Sequence, residues 1–175
     1  MRRRSKLEIL TYPNPILRRP TTQVEPGSAE AHAAAAALRA AFGGIEALGL
    51  AANQIGLPVR AILVRLGGEE RVLFNPEIVG RSPEIDVSWE GCLSLPGVEA
   101  EVPRAKQVVV RAMDEGGALV ELHLSELEAR VVQHEVDHLD GELYVDLLPK
   151  DERRRVLAEF RLAQQVQKER VPSPA

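Results

Sequence analysis

The 175-residue chain is short of three things. It has one cysteine, Cys92, so no internal disulfide can staple it, and its stability has to come from an apolar fraction of 45%. Aromatic residues make up only 3%, which removes the stacking platforms used by binders of single-stranded nucleic acid. Excess positive charge is missing as well. Lys and Arg number 22 against 26 Asp and Glu, a formal net charge of −4, which argues against nucleic-acid binding over the whole surface. No apolar run nears the ~20 residues of a membrane span. The start, Met1-Arg2-Arg3-Arg4-Ser5-Lys6, is basic, but Leu7-Glu8-Ile9-Leu10-Thr11 behind it is short and charged, so no secretory signal is expected. These exclusions leave the expectation of one domain over residues 1–175, with no membrane contact and no sequence-specific nucleic acid. A reducing cytoplasm suits its lone thiol.

Ser28 to Phe42 is rich in Ala, with Leu38 and Phe42 four apart, and reads as a helix opened by Pro26-Gly27-Ser28. On local rules Gly43-Gly44 ends it. The small residues of Gly49-Leu50-Ala51-Ala52-Asn53-Gln54-Ile55-Gly56 suggest backbone that something approaches closely. Strands are expected over Val59 to Leu66 and, after Gly67-Gly68, over Arg71 to Phe74, where Asn75-Pro76 breaks the second. Lys106 to Ala112 and Ala118 to Leu124 flank Asp114-Glu115-Gly116-Gly117 as a hairpin. Ser125-Glu126-Leu127-Glu128 has the capping-box pattern, so a helix begins there and stops near Asp140-Gly141. A last helix spans about Asp151 to Gln167, followed by a tail that Pro172 and Pro174 make irregular. The class is therefore α+β, with mainly antiparallel strands packed around a central helix and a further helix at the C-terminus.

That central helix carries His134-Glu135-Val136-Asp137-His138. Residues four apart differ by only ~40° round a helix, so both imidazoles share one face, together with Leu127 and Val131. Glu135 sits beside the pair. The arrangement suits a metal held by two histidines, with a carboxylate placed to move protons. A catalytic site of this kind usually has three protein ligands. Cys92, His123 and Glu159 are the candidates for the third, and Cys92 in Glu90-Gly91-Cys92-Leu93-Ser94 is preferred. With Glu159 the chain would read as a zinc protease. A Cys–His catalytic pair would leave the second histidine without a role.

Three segments together resemble the peptide deformylase family: Gly49 to Gln54, Glu90 to Ser94, and Gln133 to His138 with Leu139 and Gly141. The resemblance extends from Thr11-Tyr12-Pro13-Asn14-Pro15-Ile16-Leu17 to the final helix. It implies removal of the formyl group from N-formylmethionyl peptides at the start of new polypeptides, in the cytoplasm. It implies Cys92, His134 and His138 as ligands of one divalent metal, Fe²⁺ by preference, replaceable by Zn²⁺, Ni²⁺ or Co²⁺. Glu135 becomes the acid/base, and the Gln54 side chain and Leu93 N–H become oxyanion donors. Leu48, Gly49, Leu127 and Val131 become substrate-binding residues, while Ser94 and Gln133 complete their motifs without an evident direct role. Ala47 stands where the family usually has glycine, and a small change of pocket shape is expected from it. The resemblance also implies that the first helix continues past Gly43-Gly44 to about Glu46, and that expectation is adopted over the local rule.

Glu46, Glu99 and Arg104 are weaker candidates for tuning specificity beyond methionine, and Asp137 is read as orienting either a group behind the metal ligands or Arg104. From Lys150 onward seven basic residues face four acidic ones, a local net of +3. The plain reading is an amphipathic helix packed through Val156, Leu157, Phe160 and Ala163; the sharper one is docking on the ribosome. A module that only binds N-termini is the non-enzymatic alternative, but it would not need Gln54, Leu93 and Glu135 intact.

Overall fold

Ser28 opens the first helix, α1 (Ala29–Phe42), by accepting the Ala31 N–H at 3.1 Å on its hydroxyl. In this computed structural model, which describes residues 8–170, the helix ends at Phe42. The expected continuation to about Glu46 does not occur. Gly43 caps the helix, its N–H bonded to the Arg39 carbonyl, and Gly44 takes a φ of +82°, a value glycine adopts freely and other residues rarely. The local rule thus overrides the resemblance, and residues 43–48 run as an irregular segment. The basic start and the tail from residue 171 lie outside the described residues.

Seven strands follow: β1 (Gly49–Ala51), β2 (Ala61–Leu66), β3 (Glu69–Arg81), β4 (Ile85–Cys92), β5 (Leu95–Ala105), β6 (Gln107–Met113) and β7 (Leu119–Ser125). Five form an antiparallel sheet in the order β1-β2-β3-β6-β7, and β4 pairs with β5 in a second sheet. Two helices come last, α2 (Glu126–Leu139) and α3 (Lys150–Arg170).

The apolar run of β2 is buried on both sides, and its period of two sorts the side chains between them. Ala61 and Leu63 join Val72, Phe74 and the small-residue face of α1. Ile62, Val64 and Leu66 join Leu73, Val108, Val110 and the Ala129, Val132, Val136 and Leu139 face of α2. The five-stranded sheet thus lies between α1 and α2. A third core joins β5 (Val98, Ala100, Val102) to α3 through Val156, Leu157 and Phe160.

Three local expectations need correction. Asn75-Pro76 does not break its strand: pairing with β6 shifts register between Phe74 and Glu77, so the proline, which has no N–H to donate, sits in the irregularity. Asn75 takes a φ of +50° there, and its amide side chain exchanges hydrogen bonds with Val24 at 3.0 and 2.8 Å. The capping box does not form, for Ser125 makes no side-chain cap and the Glu128 carboxylate instead accepts the Gly67 N–H at 2.6 Å. Strands β4 and β5 are not predicted by the sequence pattern. In β4 the usual polarity is inverted, with Ile85, Val87 and Trp89 facing solvent and Glu90 buried.

Candidate metal centre and its groove

The α2 helix places His134 and His138 one turn apart, with ring centroids 5.0 Å from each other. The β4 strand delivers Cys92 to the same point, its Sγ 3.2 Å from His138 Nε2. The ligand atoms of Cys92, His134 and His138 all lie within 4.8 Å of one another. Of the other two candidates for third ligand, His123 is exposed on β7 beside Glu121, and Glu159 bonds Arg155 at 2.8 Å.

The surroundings fit a bound divalent cation. His134 Nδ1 lies 2.9 Å from Glu90 Oε2, and donation to that carboxylate turns the Nε2 lone pair toward the thiol side. A thiolate with two imidazoles is a donor set for Fe²⁺, Zn²⁺, Co²⁺ or Ni²⁺, and three protein ligands leave a position open for chemistry.

Glu90 is held by more than the histidine. Arg104 donates to it at 2.8 and 3.0 Å and Arg130 at 2.7 Å. Burial alone would push this carboxyl up, but the hydrogen bonds from His134 and Arg104 outweigh it and hold it at about 2. Arg104 also pairs with Asp137, as expected of Asp137. Arg104 itself is only 6% exposed and fully committed to these partners, so it does not tune specificity. Arg130, unremarked in the sequence, further bonds the carbonyls of Asp86 and Val102 at 2.9 and 2.8 Å, tying α2 to both strands of the second sheet. These roles depend on cross-strand geometry in a sheet the sequence pattern concealed.

Glu135 is buried, and its Oε2 has no hydrogen-bond partner. Burial pushes its carboxyl up to about 7, against the opposing pull of His134. It packs on the backbone of Gly49, where an added Cβ would lie 2.7 Å from Glu135 Cγ and 2.8 Å from Cδ. The expectation of closely approached backbone at this glycine is met. Gln54 is buried too: its side-chain Oε1 accepts the Ala51 N–H at 2.8 Å, and its Nε2 lies 3.1 Å from Ser94 Oγ and 3.7 Å from Cys92 Sγ. Ser94 gives its backbone N–H to Cys92 Sγ at 3.3 Å, and Gln133 exchanges hydrogen bonds with the Ala105 backbone at 2.9 and 3.3 Å. Both residues lacked a role in the sequence and gain a positional one here.

Gln54, Glu90, Cys92, His134 and Glu135 line a groove of about 970 Å³. Leu48, Gly49, Leu93, Leu127 and Val131 all border it, with Leu48 and Leu127 exposed at the rim. Ala47 borders it as well, its carbonyl accepting from Arg65 at 3.0 Å. Trp89, which no sequence motif marks, stands 62% exposed in the groove wall.

The sequence model of the family described as "Polypeptide deformylase" matches residues 6–154. A peptide deformylase of Pseudothermotoga lettingae is 49% identical over 108 residues, which cover 62% of this chain and 63% of that one. One from Afipia carboxidovorans is 40% identical over 158 residues, covering 87% and 92%. The crystal structure of a peptide deformylase from Legionella pneumophila superposes with a TM-score of 0.86 at 33% identity, over 94% of this chain and 98% of that one. A Met-Ala-Ser-bound class I type b peptide deformylase from Acinetobacter baumannii gives 0.77 at 32% identity, over 81% and 98%. With the α+β architecture, the Cys/His/His cluster and these likenesses in agreement, the chain belongs to the polypeptide deformylase family of enzymes.

Proposed function

We propose that this chain is a single-domain, metal-dependent hydrolase that removes the formyl group from N-formylmethionine at the start of newly made polypeptides in the cytoplasm, releasing formate. The observation that carries this reading is the Cys92, His134 and His138 cluster beside a buried Glu135 carboxylate with an unpartnered oxygen, opening on one groove. The Met-Ala-Ser held by the Acinetobacter baumannii relative supports a methionine-led peptide as occupant.

Cys92, His134 and His138 would hold the cation, Fe²⁺ by preference. When bound, a divalent metal supplies Lewis acidity, bringing the pKa of a water to ~7 and polarising the formyl oxygen. Glu135 takes the proton of the attacking water on its carboxylate and returns it to the departing amine nitrogen, so one residue serves as base and then as acid. The Gln54 Nε2 group and the Leu93 N–H donate to the oxyanion that forms at the formyl carbon, and each such donor contributes ~3 kcal/mol of barrier lowering. Leu48, Gly49, Leu127 and Val131 receive the methionine, with Gly49 offering its backbone to an extended peptide. Docking on the ribosome through α3 belongs to the same reading, supported by the basic excess of that segment.

The test is formate release from formyl-Met-Ala-Ser by protein purified without oxygen and loaded with Fe²⁺. Glu135→Gln is expected to keep one metal per chain and lose activity by about 10²- to 10⁴-fold. Cys92→Ala is expected to lose the metal. A Cys92→Ala protein that kept full metal content would overturn the ligand assignment. Wild-type protein that held metal but released no formate would overturn the activity.

A further inference from the structure

We infer that Arg65 is a positioning residue for substrate binding: it fixes the main chain of residues 47 and 48, and so the rim on which the peptide docks, without bordering the groove itself. This deepens the deformylase reading and rests on it.

The need for such a residue comes from where α1 stops. Its glycine cap leaves residues 43–48 as an irregular, largely exposed segment, yet that segment carries Ala47 and Leu48 to the groove wall and leads into Gly49. Exposed irregular backbone has little local stability unless something holds it. The Ile45 N–H bonds the Phe42 carbonyl at 3.1 Å, which ties the start of the segment to the helix. The far end is held by Arg65 of β2, twice over. Its backbone N–H donates to the Leu48 carbonyl at 2.9 Å, and its Nη1 donates to the Ala47 carbonyl at 3.0 Å. Any residue but proline could make the first bond. Only a long side chain ending in a donor makes the second.

The guanidinium is fixed from two further sides. It lies 4.7 Å over the ring of Phe42, the last residue of α1. Its Nη2 donates to Glu70 Oε1 at 3.1 Å, and Glu70 stands directly opposite Arg65 in the β2–β3 register. Helix end, strand pair and rim segment thus meet on one planar group whose donors point in set directions. The consequence falls on the next amide. A trans peptide is planar, with its C=O and N–H opposed. Holding the Ala47 carbonyl toward Arg65 therefore turns the Leu48 N–H away from it and sets the course of the backbone into Gly49. Arg65 is not among the described residues that border the groove, so it acts on a peptide only through this segment. Gly49 itself is paired within β1, opposite Val64, and the metal-centre residues stand on β4 and α2. Loss of the clamp should therefore weaken binding and spare the chemical step.

The test is KM and kcat for formyl-Met-Ala-Ser in Arg65→Met and Arg65→Lys. Met keeps an unbranched chain over Phe42 and removes the donors, whereas Lys keeps the charge and one donor group. In Arg65→Met, KM is expected to rise about tenfold with kcat within about twofold, and Arg65→Lys should fall in between. The dissociation constant of the product Met-Ala-Ser should rise in step, read from the fluorescence of Trp89, the single tryptophan, in the groove wall. Urea unfolding separates this from a merely structural role, which would lower the midpoint and leave KM and the product constant alone. An unchanged KM in folded Arg65→Met would overturn the inference and leave the deformylase reading intact. A KM in Arg65→Lys as high as in Arg65→Met would overturn the part given to the Ala47 hydrogen bond. Glu70→Gln leaves Arg65 and Phe42 in place and should raise KM about two- to threefold. Should Arg65→Met fail to fold, no rise in either Arg65→Lys or Glu70→Gln would overturn the inference. No formate from the wild type would bring down the deformylase reading and this inference with it.

Discussion

Glu135 is built to be in one place. Its side chain is buried and lies where a Cβ on residue 49 would have to be. Gly49→Ala should therefore displace the carboxylate and not merely crowd the strand. A misplacement of ~1 Å costs about 100-fold in rate, so kcat on a formylated peptide should fall by that order with metal content unchanged. Comparing kcat with metal per chain checks this, and a variant of undiminished kcat would show that the fit at this glycine is not critical. The histidines and Glu135 were legible because helical periodicity alone puts residues 134 and 138 on one face. Cys92 was legible as the only thiol, reinforced by its motif. Glu90 and Arg130 were not, because what they do is set by neighbours 14 to 44 residues away in sequence.

The two capped-looking helices behave differently. Ser28 makes the hydrogen bond its position promises, whereas Ser125 makes none although its sequence context looks equally good. Ser28→Ala should cost about 1 kcal/mol, while Ser125→Ala should cost less than about 0.5 kcal/mol. Urea unfolding of both variants decides it, and equal losses would refute the distinction. The reason lies outside the helix, since Glu128 is drawn to the Gly67 N–H at the β2–β3 turn, so the reciprocal arm of the box is taken elsewhere. Strand β4 was illegible for a related reason. Its apolar residues face outward because its inner face meets the arginines that hold Glu90. A pattern rule that assigns apolar residues to the interior has nothing to recognise there.

At the scale of the whole molecule, distant segments are tied together by Asp146. It pairs with Arg18 from the short Pro15–Arg18 turn and with Arg153 of α3 at 2.8 Å, and it accepts the Leu143 N–H at 2.8 Å. Burial would raise its carboxyl, but the hydrogen bonds from Arg18 and Leu143 outweigh that and hold it below its ordinary 3.8. The unfolded chain therefore takes up this proton first as the pH falls. The stabilisation is complete above the unfolded value and is lost as pH drops through the lower folded one. Asp146→Asn should cost about 1–2 kcal/mol at neutral pH, and the gap to wild type should close below about pH 3.8. Denaturant unfolding over that range checks the sign, and a gap that widened in acid would contradict it. The α+β class was legible from the order of helical and strand patterns. The division of the strands into two sheets was not, since it turns on the β4–β5 pair.

Cys92 is both the sole thiol and a residue of the groove wall. A colorimetric thiol reagent added to the native protein thus becomes a stoichiometric counter, with a ceiling of one equivalent and no background from other cysteines. If Cys92 is a metal ligand, each cation bound should silence one equivalent of colour. A single absorbance trace would then report how much of a preparation is loaded, before any substrate is added.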